Sequence, residues 1–252
     1  MSGQRKSLLG VPIDIWHPEE LLTRIEESIQ NLTPRTIFAV NPEKIMLSRK
    51  DLELLSALRE ADFLLPDGIG IIIGLKLIHG RTIKRVVRIT GIRLMRSLLE
   101  WADRTKRKVF LFGGSPDVNR KAAAAISSRY PGLVLAGREH GYISEDQYEA
   151  LIQRMNSLEI DILFVGLGSP KQEKWIYQHK NALKAKICMG IGGSFDVLAG
   201  KISWAPRWIQ RAGLEWLYRL FREPQRFGRQ LALPQFALAV LKEKISGGGA
   251  GD

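Results

Sequence analysis

Six short apolar, β-branched runs, at residues 36–40, 62–65, 108–112, 133–136, 161–165 and 187–191, alternate with stretches of helical periodicity at 44–59, 91–104, 117–129 and 145–156. That alternation constrains the chain more than any other feature. A strand that leads into a helix cannot turn straight back on its neighbour, so successive strands run the same way and the helices cover the faces of a largely parallel sheet. The expected fold is α/β, a Rossmann-like sheet flanked by helices, occupying residues 1–200. A chain of 252 residues, 45% of them hydrophobic, has ample material for the core of one large or two small units. No internal repeat is visible.

In open sheets of this kind ligands sit at the carboxyl ends of the strands. Those positions are polar and glycine-rich here. Asn41-Pro42-Glu43 follows the first run, Pro66-Asp67-Gly68-Ile69-Gly70 the second and Gly113-Gly114-Ser115-Pro116 the third. Gly166-Leu167-Gly168-Ser169-Pro170-Lys171-Gln172-Glu173 follows the fifth, and Gly192-Gly193-Ser194-Phe195-Asp196 the sixth. The turn at 113–116 either leaves helix-start amides for a phosphate or simply turns the chain, with Pro116 in the first helical turn. At 166–173 backbone donors, the Lys171 ammonium and the Gln172 amide meet at one strand end, a combination suited to a nucleotide diphosphate. Asp67, between an apolar strand and two glycines, is placed either to take a proton from a substrate or to close an Asx turn or cap a helix. None of these segments is a Walker P-loop. None completes the dinucleotide fingerprint with its following acid, so a nicotinamide-dependent oxidoreductase lacks its signature. His17, His79, His140 and His179 show no paired ligand spacing and no Asp-x-Asp motif occurs, so no metal and no cofactor are expected.

The composition shifts near Gly200. Between residues 201 and 245, nine Lys or Arg stand against three Glu, half of the chain's formal charge of +12. Trp204, Trp208, Trp216, Phe221, Phe227 and Phe236 are interleaved with them. Over 206–223, Trp208, Ile209, Ala212, Trp216 and Leu220 recur at helical spacing with the arginines largely off that stripe, which predicts a basic amphipathic helix; Pro224 opens the next one. Arginine and aromatic residues together could grip nucleic acid, but the Trp and Leu content favours an anionic membrane surface over a nucleic acid. For Trp208 and Trp216 singly, packing on the protein's own core explains as much. The chain thus reads as a core at 1–200, a membrane-associating appendage at 201–245 and a disordered end at 246–252. Residues 1–16 lack the continuous apolar segment of a signal peptide. The longest candidate span, 69–78, is interrupted by Gly74 and Lys76, so any membrane contact is expected to be peripheral. Cys188, the single cysteine, lies in an apolar run, fits a core position better than a nucleophile, and points to a reducing compartment.

Taken in order, Asn41-Pro42-Glu43, Leu65-Pro66-Asp67-Gly68, Arg88-Ile89-Thr90-Gly91, Phe112-Gly113-Gly114, His140-Gly141-Tyr142, the 166–173 and 192–196 segments, Ala205-Pro206-Arg207-Trp208 and Gly213-Leu214-Glu215-Trp216-Leu217-Tyr218-Arg219 resemble the WecG/TagA/CpsF family, glycosyltransferase family 26. The resemblance spans roughly residues 8–230. It implies an inverting, metal-independent transfer of a sugar from a UDP-sugar to a saccharide on a polyprenyl diphosphate, at the cytoplasmic face of the bacterial inner membrane, in cell-surface polysaccharide biosynthesis. N-acetylmannosamine, its uronic acid and a hexose stay open as the transferred unit, as does the oligomeric state.

By that resemblance Asp67 is the general base, Asn41 and Gln172 position the reacting sugars, and Arg88 lies in the same cleft. Gly113, Gly114, Gly168, Lys171, Gly192 and Gly193, already placed at strand ends by the sequence, are expected around the donor nucleotide; the resemblance adds Asp196 as a contact to its base, and Arg219, Arg226 and Arg229 as reaching over the site to the diphosphate. Two positions depart from the family pattern: Ala39 stands where a threonine is common, and Arg93 where an aspartate is.

Overall fold

The computed structural model describes residues 3–29, 34–80, 83, 86–203, 205–206, 208–209, 215–222, 228 and 231–247, and only the backbone of Trp216, Arg219 and Arg222. Its centre is a six-stranded sheet of β3 (Arg35–Val40), β4 (Phe63–Pro66), β5 (Lys108–Gly113), β6 (Val134–Glu139), β7 (Ile162–Gly166) and β8 (Ile187–Gly190), in the order β4-β3-β8-β7-β5-β6. Every pairing is parallel. The six expected strands are all present, each within two residues of its expected start and within three of its expected end.

Alternation along the strands sorts the core into two layers. Phe38, Val40, Leu64, Phe110, Phe112, Leu163, Val165 and Cys188 face one side, and Ile37, Phe63, Leu65, Val109, Leu111, Ile162, Phe164 and Met189 the other. The first layer is covered by α2 (Pro42–Ser48), α3 (Leu52–Arg59), α4 (Ile69–His79), α7 (Tyr148–Ser157) and α8 (Lys171–His179). The second is covered by α1 (Pro18–Ser28), α5 (Gly91–Thr105), α6 (Pro116–Arg129) and α9 (Ser194–Leu198). Cys188 is fully buried in the first layer, and burial pushes its thiol pKa up to about 12, so it is a core residue.

Two expected helices differ in form. The stretch at 44–59 is two helices, because Asp51 accepts the Leu54 N–H at 3.0 Å and starts α3 afresh. The stretch at 145–156 opens with a 3₁₀ turn, Glu145–Gln147, held by a Ser144–Gln147 capping box, before α7 begins. An N-terminal hairpin also appears that the alternation did not announce, β1 (Gln4–Leu8) with β2 (Val11–Ile15), joined through Leu9 and Gly10 at φ 53° and 78°. It docks on the β4 edge through the buried Asp14 carboxylate, which takes the Leu64 N–H at 2.7 Å and two bonds from Arg5.

Past Gly200, the helix expected over 206–223 is described in part. Pro206 is not helical, Trp208 and Ile209 form helical turn, and α10 spans Glu215–Arg222. Pro224 and residues 210–214 lie outside the described residues. The last helix, α11 (Ala232–Ile245), belongs physically to the core: Phe236 and Val240 are buried with Leu8, Ile71 and Leu75. Gly74 on α4 makes room for it, since a Cβ there would stand 3.2 Å from Phe236 Cζ. Glu243 on α11 accepts the Leu9 N–H at 2.9 Å. Of the expected disordered end, Ser246 and Gly247 close the helix by hydrogen bonds to Lys242 and Lys244, and 248–252 lie outside the described residues. Among the described residues no helix is long and apolar enough to cross a membrane.

Candidate active site

The carboxyl ends of β4, β3, β8 and β7 open into one cavity of about 470 Å³, a size ordinary for a small-molecule site. Asn41 and Ala39 enter it from β3, Asp67 and Gly68 from β4, Gly192 and Gly193 from the loop after β8, and Gly168 and Gln172 from the β7–α8 connection. Arg88 and Thr90 close it from the segment before α5. The four side chains expected to carry the chemistry, Asn41, Asp67, Arg88 and Gln172, therefore line a single wall system although 131 positions separate the first from the last.

Each is held by identifiable bonds. Asp67 follows the Val40–Pro66 pairing, and its N–H donates to Val40 O at 2.8 Å, so its main chain is an extension of the sheet. The cap of α4 falls on Gly68, at φ 95°, not on Asp67. Asn41 caps α2 by accepting the Lys44 N–H at 2.8 Å, with Pro42 in the first turn. That uses the amide oxygen and leaves the Asn41 NH₂ group as what this side chain can offer a ligand. Gln172 is 2% exposed, and both ends of its amide are engaged: Oε1 accepts the Gly192 N–H at 2.9 Å and Nε2 donates to Glu173 at 2.8 Å.

Arg88 forms a two-pronged pair with Glu215 at the start of α10, both bonds 2.6 Å. Glu215 and Tyr218 themselves line the cavity, so α10 is latched onto the rim of the site. The fork that holds a carboxylate here is the geometry that would hold two oxygens of a phosphate. Sequence reading placed Glu215 within a motif without giving it this role, because its partner lies 127 positions earlier.

Other expected residues stand back from the cavity. Gly113, at φ 122°, packs its Cα against Gly166, where a Cβ would lie 2.4 Å from backbone; Ser115 caps α6, and Asn119 holds Gly113 O at 2.9 Å. The turn at 113–116 thus has a full structural account, and neither Gly113 nor Gly114 lines the cavity. Lys171 is exposed outside it. Asp196 sits on α9 behind Gly193 and pairs with Lys201 at 3.3 Å. Of the departures, Ala39 forms cavity wall and Arg93 is exposed outside it. Arg219 falls on α10 with its side chain outside the described residues, as are Arg226 and Arg229 altogether. Among the described residues no three His, Cys, Asp or Glu side chains come together as a metal site would need.

The sequence profile of the glycosyl transferase WecG/TagA/CpsF family matches residues 6–249. The chain belongs to that family. It is a glycosyltransferase, in keeping with its relatives. One, the N-acetylglucosaminyldiphosphoundecaprenol N-acetyl-beta-D-mannosaminyltransferase of Bacillus subtilis (strain 168), is 39% identical over 209 residues, covering 82% of this chain and 79% of the relative. The protein of the same name from Bacillus spizizenii is 36% identical over 208 residues, covering 82% and 79%. That from Staphylococcus aureus (strain MRSA252) is 33% identical over 239 residues, covering 94% and 92%.

Proposed function

We propose that this glycosyltransferase moves an N-acetylmannosaminyl unit from a UDP donor to an N-acetylglucosamine carried on a polyprenyl diphosphate, with inversion and without a metal. The observation that carries the reading is the convergence of Asn41, Asp67, Arg88 and Gln172, from separate strand ends, on one cavity. The names of the relatives supply the sugar and the acceptor class.

In this reading Asp67 takes the proton of the acceptor hydroxyl as its oxygen attacks the anomeric carbon, the bond from that carbon to the diphosphate breaks, and UDP departs from the opposite face. The Asn41 NH₂ group orients a sugar. Arg88, the backbone amides around Gly168 and Gly192, and the arginines at 219, 226 and 229 meet the charge that grows on the diphosphate, the work a divalent ion performs elsewhere. The test is to incubate the protein with UDP-N-acetylmannosamine and a short-chain polyprenyl-diphosphate N-acetylglucosamine, with EDTA present. The expected product is the acceptor plus one N-acetylhexosamine by mass, β-linked by NMR, formed at the same rate with and without EDTA, and formed more slowly by R226A and R229A. No product with this donor while another UDP-sugar reacts would sink the sugar assignment; loss of turnover in EDTA, restored by a divalent ion, would sink the metal-free mechanism.

The acceptor's lipid requires a surface, and the reading places it on α4 and α11. Ile69, Ile73 and Leu77 form an i, i+4, i+8 stripe on α4 that is 41%, 50% and 37% exposed, and Leu238, Leu241 and Ile245 on the adjoining α11 are 60%, 48% and 85% exposed. Lys76, Lys242 and Lys244 accompany them, as suits anionic headgroups. Ile69 and Leu233 also line the cavity, so the apolar face runs to its mouth. Cosedimentation with phosphatidylglycerol vesicles should weaken about tenfold or more in I73E/L238E, since each apolar side chain withdrawn from lipid is worth about 1.5 kcal/mol or more. Unchanged sedimentation would move the membrane contact elsewhere.

A further inference from the structure

We propose that Lys44 and Glu173 form a buried positioning pair that sets the Gln172 amide of the site and, through it, the glycine loop after β8. The proposal rests on the glycosyl-transfer reading above. Lys44 is engaged twice. Its backbone N–H fixes Asn41 Oδ1 at 2.8 Å, and its ammonium, at the cavity wall, donates to Glu173 Oε1 and to Ala39 O, each at 2.6 Å. Glu173 Oε1 also receives Gln172 Nε2 at 2.8 Å. An amide whose NH₂ is held by a carboxylate must turn its oxygen the other way, and that oxygen takes the Gly192 N–H at 2.9 Å. One continuous path of hydrogen bonds therefore runs from the end of β3 through α2 and α8 to the loop after β8, spanning three sides of the cavity. Gly190 completes it, because a Cβ there would lie 2.9 Å from Gln172 Nε2 and push the amide off the strand end.

Stability alone is a weak reason for such a pair. The two side chains are 8% and 0% exposed, and Glu173 Oε2 is buried with no hydrogen-bond partner among the described residues. Charges removed from water this completely recover their hydration only in part, and packed apolar residues of similar volume hold a fold at least as well. What apolar residues could not do is dictate which way the Gln172 amide points. Neither residue reaches the reacting atoms in this account, so both act through the residues they hold.

The experiment replaces the pair as a unit, K44M/E173L, because removing one partner alone would strand a buried charge. The double variant is expected to keep the wild-type circular dichroism and a melting temperature within a few degrees, with kcat lowered about 10²-fold, the scale of a small misplacement of reacting groups, and KM for the donor changed far less. Adding Q172A to the double variant should cost little more, whereas Q172A alone should cost about as much as the double, as two steps on one path do. Independently of activity, amide exchange at Gly192 should accelerate in the double variant. If it does not fold, K44M/E173Q, which removes both charges together and keeps the volume at 173, carries the same measurements, with a loss of about tenfold expected in kcat. Wild-type kcat in a folded variant, additive losses with Q172A, or unchanged Gly192 exchange would each overturn the pair's role. Wild-type protein assayed alongside separates the two ideas: no product from wild type sinks the transfer reading, whereas equal product from wild type and variant sinks only the pair.

Discussion

Asp67→Asn should lower turnover by about 10²–10⁴-fold, the contribution expected of a positioned general base, while leaving the fold in place. The asymmetry follows from how Asp67 is held. Its main chain is fixed by the sheet, through the N–H bond to Val40 O at 2.8 Å and the preceding Val40–Pro66 pairing. The adjacent chain is held as well, the Ile89 N–H reaching Pro66 O at 3.0 Å. Its side chain is only half-buried, and asparagine has the same shape, so the fold should survive the change. A neutral amide can accept a hydrogen bond from the acceptor hydroxyl but cannot keep its proton, so binding should survive better than kcat. Product formation under saturating substrates, set beside a thermal melt, checks this. Turnover within twofold of the wild type in a folded variant would remove Asp67 from the role.

The sheet was legible in the sequence because each of its strands carries alternating or continuous apolar residues that both core layers need, as Ile37 and Phe38 show by burying on opposite faces. The residues just past those strands were legible for the same reason, since a fixed strand end fixes where Asn41 and Asp67 emerge. The division of 44–59 was not, because Ile45, Leu54 and Leu58 continue one apolar face across the break and only the Asp51 cap marks it. The hairpin was hidden by a first strand that is largely polar, Gln4-Arg5-Lys6-Ser7, and gains its order from Asp14 and the β4 edge. Lys44 with Glu173 and Arg88 with Glu215 were hidden more deeply. Their partners lie 129 and 127 positions apart, so the meaning of each charge exists only once the fold has closed. The C-terminal region misled in another way: its charge and aromatic content describe a surface-seeking segment, yet Phe236 and Val240, two residues within it, are buried.

That last point has the largest consequence for stability. Phe236→Ala should destabilise the protein by about 3 kcal/mol, at the lower end for deletion of a buried ring, and lower the melting temperature by roughly 6–12 °C for a chain of this size. Phe236 is 5% exposed and packs against α4 at Gly74, where a Cβ would stand 3.2 Å from its Cζ, so truncation empties a space between α4 and α11. The partners of the ring come from both termini: Leu8 of the first strand abuts the same glycine, with Leu8 Cδ1 also 3.2 Å from where a Cβ would stand. A loss there loosens the hairpin, α4 and α11 together, and a single cooperative transition should shift as a whole. Thermal melting followed by circular dichroism, with limited trypsin digestion at Lys242 and Lys244, distinguishes the outcomes. An unchanged transition with rapid cleavage at those lysines would make α11 a detachable arm; a lowered transition with cleavage only on melting makes it the last piece of the core, holding the exposed Leu238 and Leu241 at a fixed place beside the mouth of the cavity.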